Sequence, residues 1–126
     1  MELGQLHHVE YYVNDLEKTK QFWGWFLPKL DYTEFQQWPK GISYAHNKTK
    51  TYLVFVEVLP EYQAHLNNRQ AMGLNHIAFQ GGSKEELKTL IDDLKKRNIK
   101  ILTQKEDEIC FEDPNGFAVE IYSTYK

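Results

Sequence analysis

The chain has 126 residues, a formal net charge of −3 at pH 7 and 41% hydrophobic residues. This length corresponds to one compact domain or two small modules with a shared core. The acidic balance argues against nucleic acid or a membrane surface as a partner, because both attract clustered Lys and Arg. The single cysteine, Cys110, excludes an internal disulfide and a multi-thiolate metal site. With no apolar run long enough to span a membrane and no signal-peptide pattern at the start, we expect a soluble cytoplasmic protein.

The first half of the chain predicts a strand, a helix and three further strands. The first strand begins near His8 in "LHHVEYYV". Asn14 can cap the helix that follows, with Glu17 three residues later, and Pro28 closes it. The remaining strands of this half are predicted at 31–38, 41–46 and 51–58.

The second half repeats this layout after a linker, residues 59–72, that predicts no regular element. A strand begins at "LNHIAF", and Ser83 with Glu86 forms a capping box before an amphipathic helix. "DPNG" at 113–116 predicts a turn between the last two strands. The strands after the helix are predicted at 99–103, 107–112 and 117–123.

Aligning the two halves shows which residues are duplicated. Leu-x-His occurs in both, so that His8 matches His76 and His7 matches Asn75. The last strands, "FVEV" at 55–58 and "AVEI" at 118–121, each place one Glu between branched residues. The alignment therefore predicts two His–Glu pairs, formed by His8 with Glu57 and His76 with Glu120.

Side chains alternate between two faces along each predicted strand. The face opposite each ionisable residue carries branched apolar side chains, so we expect it to pack on a helix. On the strand of Glu57, for example, Val54 and Val56 lie on this opposite face. The ionisable residues would then line a concave, semi-buried second face. Candidate substrate-binding residues on that face are Glu10, Tyr12, Phe55 and Tyr122.

Two imidazoles and two carboxylates form a donor set for a borderline divalent metal such as Zn²⁺, Ni²⁺, Co²⁺, Fe²⁺ or Mn²⁺. The predicted metal ligands are His8, Glu57, His76 and Glu120. A cup that keeps these residues but binds no metal is the alternative. Glu10 shares the face of His8 and could be a base, a substrate contact or a rim charge.

With these residues in place, the chain resembles the vicinal-oxygen-chelate superfamily, which includes glyoxalases, bleomycin-resistance proteins and dioxygenases. The resemblance covers essentially the whole chain and depends on "LHHVEYYVNDLEKTKQFW", "GLNHIAF" and "FEDPNGFAVEIY". It implies an α+β fold in which two paired βαβββ modules form a curved eight-stranded mixed sheet. The implied layout is one domain over 1–126, with modules at about 1–58 and 73–126.

The resemblance also bears on the ligands. Glyoxalase-like members bind the metal with one His and one Glu from each module, which here implies all four predicted ligands. Dioxygenase and fosfomycin-resistance members use three, which would be His8, His76 and Glu120. Two departures from glyoxalase I are visible: Tyr12 stands where that enzyme has an Arg for glutathione, and Glu61 replaces an Asn. The cations that could compensate are Arg69, Lys100 and Lys105.

The function predicted from this resemblance is a glyoxalase-like metalloenzyme of the lyase type. A divalent metal would chelate vicinal oxygens of a small substrate, and Glu57 or Glu120 would move the proton. We also expect a homodimer. The alternatives are a bleomycin-resistance-like protein that binds a small molecule without turnover, and a three-ligand dioxygenase or thiol transferase. Trp38 would join the aromatic lining in the binding alternative.

Overall fold

The computed structural model describes residues 3–123, and the chain divides into two compact units between His65 and Leu66. Each unit contains one α-helix and four strands, so the predicted α+β class with two βαβββ modules is confirmed. The predicted linker holds a short 3-10 helix, Pro60–Tyr62. Neither α-helix within residues 3–123 has the length and apolar character needed to cross a membrane.

The first unit is a four-stranded mixed sheet with the order β1-β4-β3-β2. Strands β1 and β4 are parallel, and the other neighbours are antiparallel. Its elements are β1 (His8–Val13), α1 (Leu16–Phe26), β2 (Tyr32–Trp38), β3 (Gly41–His46) and β4 (Tyr52–Glu57).

The cap of α1 lies one residue later than predicted. Asp15 has extended backbone geometry, and its carboxylate accepts a hydrogen bond from the Lys18 amide at 3.0 Å. Asn14 instead donates its side-chain amide to the carbonyl of His65. The prediction of Asn14 as the cap was therefore wrong, although both residue types can cap a helix.

The face of β4 that packs on α1 is the opposite of the predicted one. Phe55 is only 1% exposed and stacks on Trp23 of α1 at 5.4 Å between ring centroids. It also stacks on Tyr11 of β1 at 5.5 Å. Because neighbours alternate along a strand, Val54 and Val56 lie on the other face. Phe55 is thus a core residue, and its predicted role in substrate binding is contradicted.

The second unit repeats the strand order, as β5-β8-β7-β6. Strands β5 and β8 are parallel, and the other neighbours are antiparallel. Its elements are β5 (Ile77–Gln80), α2 (Lys84–Lys96), β6 (Ile101–Gln104), β7 (Glu108–Glu112) and β8 (Ala118–Tyr122).

Both local predictions for the second unit are confirmed. Ser83 and Glu86 form the capping box at the start of α2. The "DPNG" turn is closed by the carboxylate of Asp113, which accepts hydrogen bonds from the amides of Asn115 and Phe117. Gly116 takes a φ of 84°, a conformation that glycine adopts without strain. The turn directs the chain into β8, which carries Glu120.

Candidate functional site

The second unit brings its predicted His–Glu pair together. Ala78 of β5 lies opposite Glu120 of β8, which places His76 on the same face as Glu120. The Nε2 atom of His76 lies 3.4 Å from Oε1 of Glu120. On the helix side of β8, Val119 and Ile121 are fully buried, as the alternation predicted.

Neighbouring side chains hold both members of this pair. The hydroxyl of Tyr122 donates a hydrogen bond to Oε1 of Glu120 at 2.6 Å. Hydrogen bonds to Glu120 and Glu108 raise the pKa of Tyr122 above its ordinary value, so that it remains a donor at neutral pH. On the other side, Nδ1 of His76 lies 2.7 Å from Oδ1 of Asn75.

The hydrogen bonds of Asn75 determine which nitrogen of His76 carries the proton. Its Nδ2 donates to the carbonyl oxygen of Arg69, so Oδ1 is the atom that faces His76 and Nδ1 of His76 must donate. In the neutral ring Nε2 then has a lone pair, directed at a carboxylate oxygen 3.4 Å away. An imidazole nitrogen and a carboxylate oxygen are both atoms that bind borderline divalent metals, so the pair fits two donors of a metal site.

The adjacent strand adds acidic residues and a thiol to this face. Glu108, Cys110 and Glu112 of β7 lie opposite Tyr122, Glu120 and Ala118. Burial raises the pKa of the Cys110 thiol, and the nearby Glu120 carboxylate adds to the effect. The thiol is therefore protonated at neutral pH, consistent with a packing role rather than a nucleophilic one.

The three cations expected to compensate for missing anion contacts face other partners. Arg69 pairs with Glu112 at 3.2 Å, and Lys100 lies 4.0 Å from the same carboxylate. Lys105 pairs with Glu108 at 3.2 Å. These cations neutralise the acidic strand, which does not favour a role in holding an anionic substrate.

The first unit does not bring His8 and Glu57 together. His8 lies opposite Tyr52, and Glu57 lies opposite Val13, five positions further along the strand pair. At about 3.3 Å per residue this separates their backbones by roughly 16 Å. The two residues also point to opposite faces, because Glu57 shares the helix side with Phe55. The predicted pairing of His8 with Glu57 is wrong.

Glu57 has a structural role instead. Its Oε2 accepts a hydrogen bond from the Leu16 amide, the first residue of α1, at 2.9 Å. Its Oε1 lies 3.2 Å from Nζ of Lys40. The Leu16 hydrogen bond, followed by the Lys40 contact, lowers the pKa of Glu57 below its ordinary value. This carboxylate is engaged at the start of the helix, so we remove it from the candidate metal ligands and catalytic residues.

Strand register identifies the true counterpart of Glu120. Glu120 lies opposite Ala78, two residues after His76. The residue two positions after His8 is Glu10, and its partner on β4 is Val54. Aligning the strands by their glutamates therefore misplaced the repeat by three residues. The first unit has the apolar side chain of Val54 where the second has the carboxylate of Glu120.

His8 lies on an aromatic face. Its ring stacks on Tyr52 at 4.7 Å with an interplanar angle of 4°, and Phe35 contacts Tyr52 at 5.3 Å. Glu10 and Tyr12 share this face by alternation, and Tyr12 is 72% exposed. This surface thus offers an imidazole, a carboxylate and several ring faces. No group of three or more His, Cys, Asp and Glu side chains within residues 3–123 is already arranged around a common ion position.

Comparison with known proteins identifies the family. The model of the Glyoxalase/Bleomycin resistance protein/Dioxygenase superfamily matches residues 5–121. The chain belongs to this superfamily. Uncharacterized protein YqjT of Bacillus subtilis (strain 168) is a relative with 34% identity over 125 residues, which covers 92% of this chain and 96% of YqjT.

Solved structures of the superfamily share the fold. A candidate glyoxalase from Bacillus halodurans is 39% identical, covers 96% of each chain and superposes with a TM-score of 0.88. A mutant of the fosfomycin resistance protein FosX of Listeria monocytogenes, in a complex with Mn(II) and 1S,2S-dihydroxypropylphosphonic acid, has a TM-score of 0.71. At 20% identity over 99% of this chain and 93% of the other, that likeness shows the fold alone.

Proposed function

We propose that this superfamily member is a metal-dependent enzyme that acts on a small substrate with neighbouring oxygen atoms. The proposed ligands of one divalent ion are His8, His76 and Glu120, and the ion is Zn²⁺, Ni²⁺, Co²⁺, Fe²⁺ or Mn²⁺. The observation that supports it most is the His76–Glu120 pair, in which a bare imidazole nitrogen and a carboxylate oxygen lie 3.4 Å apart. His8 is the matching residue of the duplicated first unit.

The structure favours three protein ligands over the four of the glyoxalase pattern. Glu57 is bonded to the start of α1, and Val54 occupies the position that corresponds to Glu120. Three ligands leave more positions open for a substrate than four do. FosX, which binds Mn(II) in its solved complex, has the same fold, and we transfer only the expectation of a divalent ion to this chain.

Different residues of the chain would position the ligand carboxylate, transfer the proton and contact the substrate. A bound divalent ion would supply a Lewis acid for a substrate oxygen. Tyr122 holds Glu120 through the 2.6 Å hydrogen bond, which fixes the direction of the ligand carboxylate. Because Glu120 is engaged in this way, we assign proton transfer to Glu10, the carboxylate on the face of His8. Tyr12 on the same face would contact the substrate.

Metal content of protein purified without an affinity tag tests the ligand set. We expect about one equivalent of divalent metal per chain in the wild type, and loss of most of it in His8→Ala, His76→Ala and Glu120→Ala. Glu57→Gln is the matched control, because its carboxylate serves the helix, and it should retain the metal. Equal metal content in all five proteins would reject the proposed site.

A second candidate is a binding protein without turnover, and the aromatic face of the first unit favours it. Phe35, Tyr52 and Tyr12 present ring surface on one side of the sheet, and Trp38 packs closely over Gly41. Aromatic rings bind planar apolar molecules by stacking. A ligand that raises the melting temperature equally with and without chelator would support this candidate over the enzyme.

We further propose a cytoplasmic homodimer. Large apolar side chains lie exposed in or beside the linker, as expected of a surface that a second copy covers. They are Leu59, Tyr62, Leu66 and Met72. Light scattering after size-exclusion chromatography tests the dimer, and a mass of one chain, near 15.0 kDa, would reject it.

A further inference from the structure

We infer that His7 and Asn75 are positioning residues that fix the tautomers of His8 and His76. Each precedes a proposed metal ligand and contacts the Nδ1 atom of that ligand. Each would thereby leave Nε2 of the following ring with a free lone pair. The role in metal binding rests on the proposed function, whereas the tautomer is a property of the chain alone.

In the second unit the direction of the hydrogen bond is fixed by its neighbours. The amide nitrogen of Asn75 lies 3.2 Å from the carbonyl oxygen of Arg69, an acceptor, so this nitrogen is the donor end of the side chain. The oxygen end therefore faces Nδ1 of His76 at 2.7 Å. An amide oxygen only accepts, and Nδ1 of His76 must supply the proton. The free nitrogen is then Nε2, the atom nearest Glu120.

In the first unit a second imidazole takes the place of the amide. Nδ1 of His7 and Nδ1 of His8 lie 2.8 Å apart, so one of them carries a proton and the other accepts it. Tyr52 fixes the plane of the His8 ring by stacking at 4.7 Å. If His8 donates, as His76 does, its Nε2 has the lone pair that a metal requires. We assign this direction from the duplicated arrangement.

The duplication gives this assignment its physical basis. His7 and Asn75 differ in chemistry but occupy equivalent positions, each directly before the repeated histidine at the start of its unit's first strand, His8 in β1 and His76 just ahead of β5. Both can present an acceptor to Nδ1 of the next residue: a bare ring nitrogen in one unit and an amide oxygen in the other. This also explains the His7–His8 doublet. The first histidine orients the second and is not itself a proposed ligand.

The expected effect is on metal affinity. An imidazole without a fixed Nδ1 partner exchanges between two tautomers, and only one of them presents Nε2 to an ion. Removing the partner of a metal-ligating histidine typically weakens metal binding by about 10–100-fold. His7→Ala and Asn75→Ala should therefore bind Mn²⁺ or Zn²⁺ more weakly, by a factor in that range.

Exchanging the residue types of positions 7 and 75 distinguishes a positioning role from a general loss of structure. His7→Asn installs the acceptor that the second unit uses, and Asn75→His installs that of the first. Both variants should keep affinities for Mn²⁺ and Zn²⁺ within a few-fold of the wild type, measured by titration calorimetry. The matched control is His65→Ala, which alters an exposed histidine outside these contacts and should leave the affinities unchanged.

Nitrogen-detected NMR of the imidazole rings tests the tautomer without any metal. In the metal-free wild type, above the pH at which imidazole titrates, His76 should have its proton on Nδ1, and Asn75→Ala should lose this preference. A proton on Nε2 in the wild type would overturn the inference, as would a His7→Asn affinity as weak as that of His7→Ala. Absence of any Mn²⁺ or Zn²⁺ binding by the wild type would overturn the proposed function, while the tautomer result would still decide how His76 is positioned.

Discussion

At the residue scale, Glu57 links the end of β4 to the start of α1. It receives hydrogen bonds from the Leu16 amide and from Lys40, and these hold its pKa below the ordinary value. Because the pKa is lower in the folded state, the carboxylate adds stability at any pH above its unfolded pKa. That contribution is lost as the pH falls through the folded pKa.

We predict that Glu57→Gln lowers the free energy of unfolding by about 1 kcal/mol at neutral pH, the usual size of a helix-start interaction. The difference from wild type should shrink in acid, where the wild-type carboxylate is protonated too. Urea unfolding at neutral and acidic pH measures both values, and Glu61→Gln, at an exposed position, serves as the control. The same loss at both pH values would show that the charge of Glu57 is not involved.

Tyr122 has a comparable positioning contact on the proposed metal side. We predict that Tyr122→Phe, which removes only the hydroxyl bonded to Glu120, weakens divalent metal binding by about 10-fold. Calorimetric titration with Mn²⁺ measures the change. Tyr62→Phe removes the hydroxyl of an exposed tyrosine and should have no effect. Unchanged affinity in Tyr122→Phe would mean that Glu120 does not need this hydrogen bond.

The sequence was sufficient to find some of these residues but not others. His8 and His76 repeat in an identical local pattern, and the His76–Glu120 contact follows from strand alternation. The role of Glu57 could not be predicted from strand alternation. The side of the sheet on which Glu57 lies depends on the register of β4 against β1, and that register is determined by tertiary packing of Phe55 on α1. For the same reason Val54 could not be identified as the counterpart of Glu120.

At the element scale, the two helices begin with different capping arrangements. In α2, the Ser83 hydroxyl accepts a hydrogen bond from the Glu86 amide, and the Glu86 carboxylate accepts one from the Ser83 amide. In α1, Asp15 accepts a hydrogen bond from the Lys18 amide, and Glu57 of β4 accepts one from the Leu16 amide. The capping box was predictable because its two residues lie at fixed spacing. Asp15 was not distinguished from Asn14, because adjacent residues of equal capping ability differ only in the backbone conformation they adopt.

We predict that Ser83→Ala lowers the free energy of unfolding by about 1 kcal/mol, because the substitution leaves the Glu86 amide without its partner. Thr89→Ala removes a hydroxyl from an exposed position of the same helix and should be neutral or slightly stabilising, because Ala is the stronger helix former. Urea unfolding of both variants provides the comparison. Equal stability of Ser83→Ala and wild type would contradict the importance of this cap.

At the scale of the whole molecule, the two units share one scaffold but differ in the side chains on the sheet face that carries the repeated histidine. Both units have the same strand order and a parallel pair formed by their first and last strands. The first presents stacked aromatic rings around His8, and the second presents carboxylates around His76. Fold and strand limits were predictable because each unit follows the same periodic pattern. The chemistry of each face was predictable only where strand alternation alone determines it.

A crystal structure with anomalous scattering data at the absorption edge of the bound metal would test the proposed three-residue metal site. We predict one anomalous peak bonded to Nε2 of His8, Nε2 of His76 and a carboxylate oxygen of Glu120, with Glu57 still bonded to the Leu16 amide. A peak coordinated by Glu57, or imidazoles of His8 and His76 that share no ion, would contradict it.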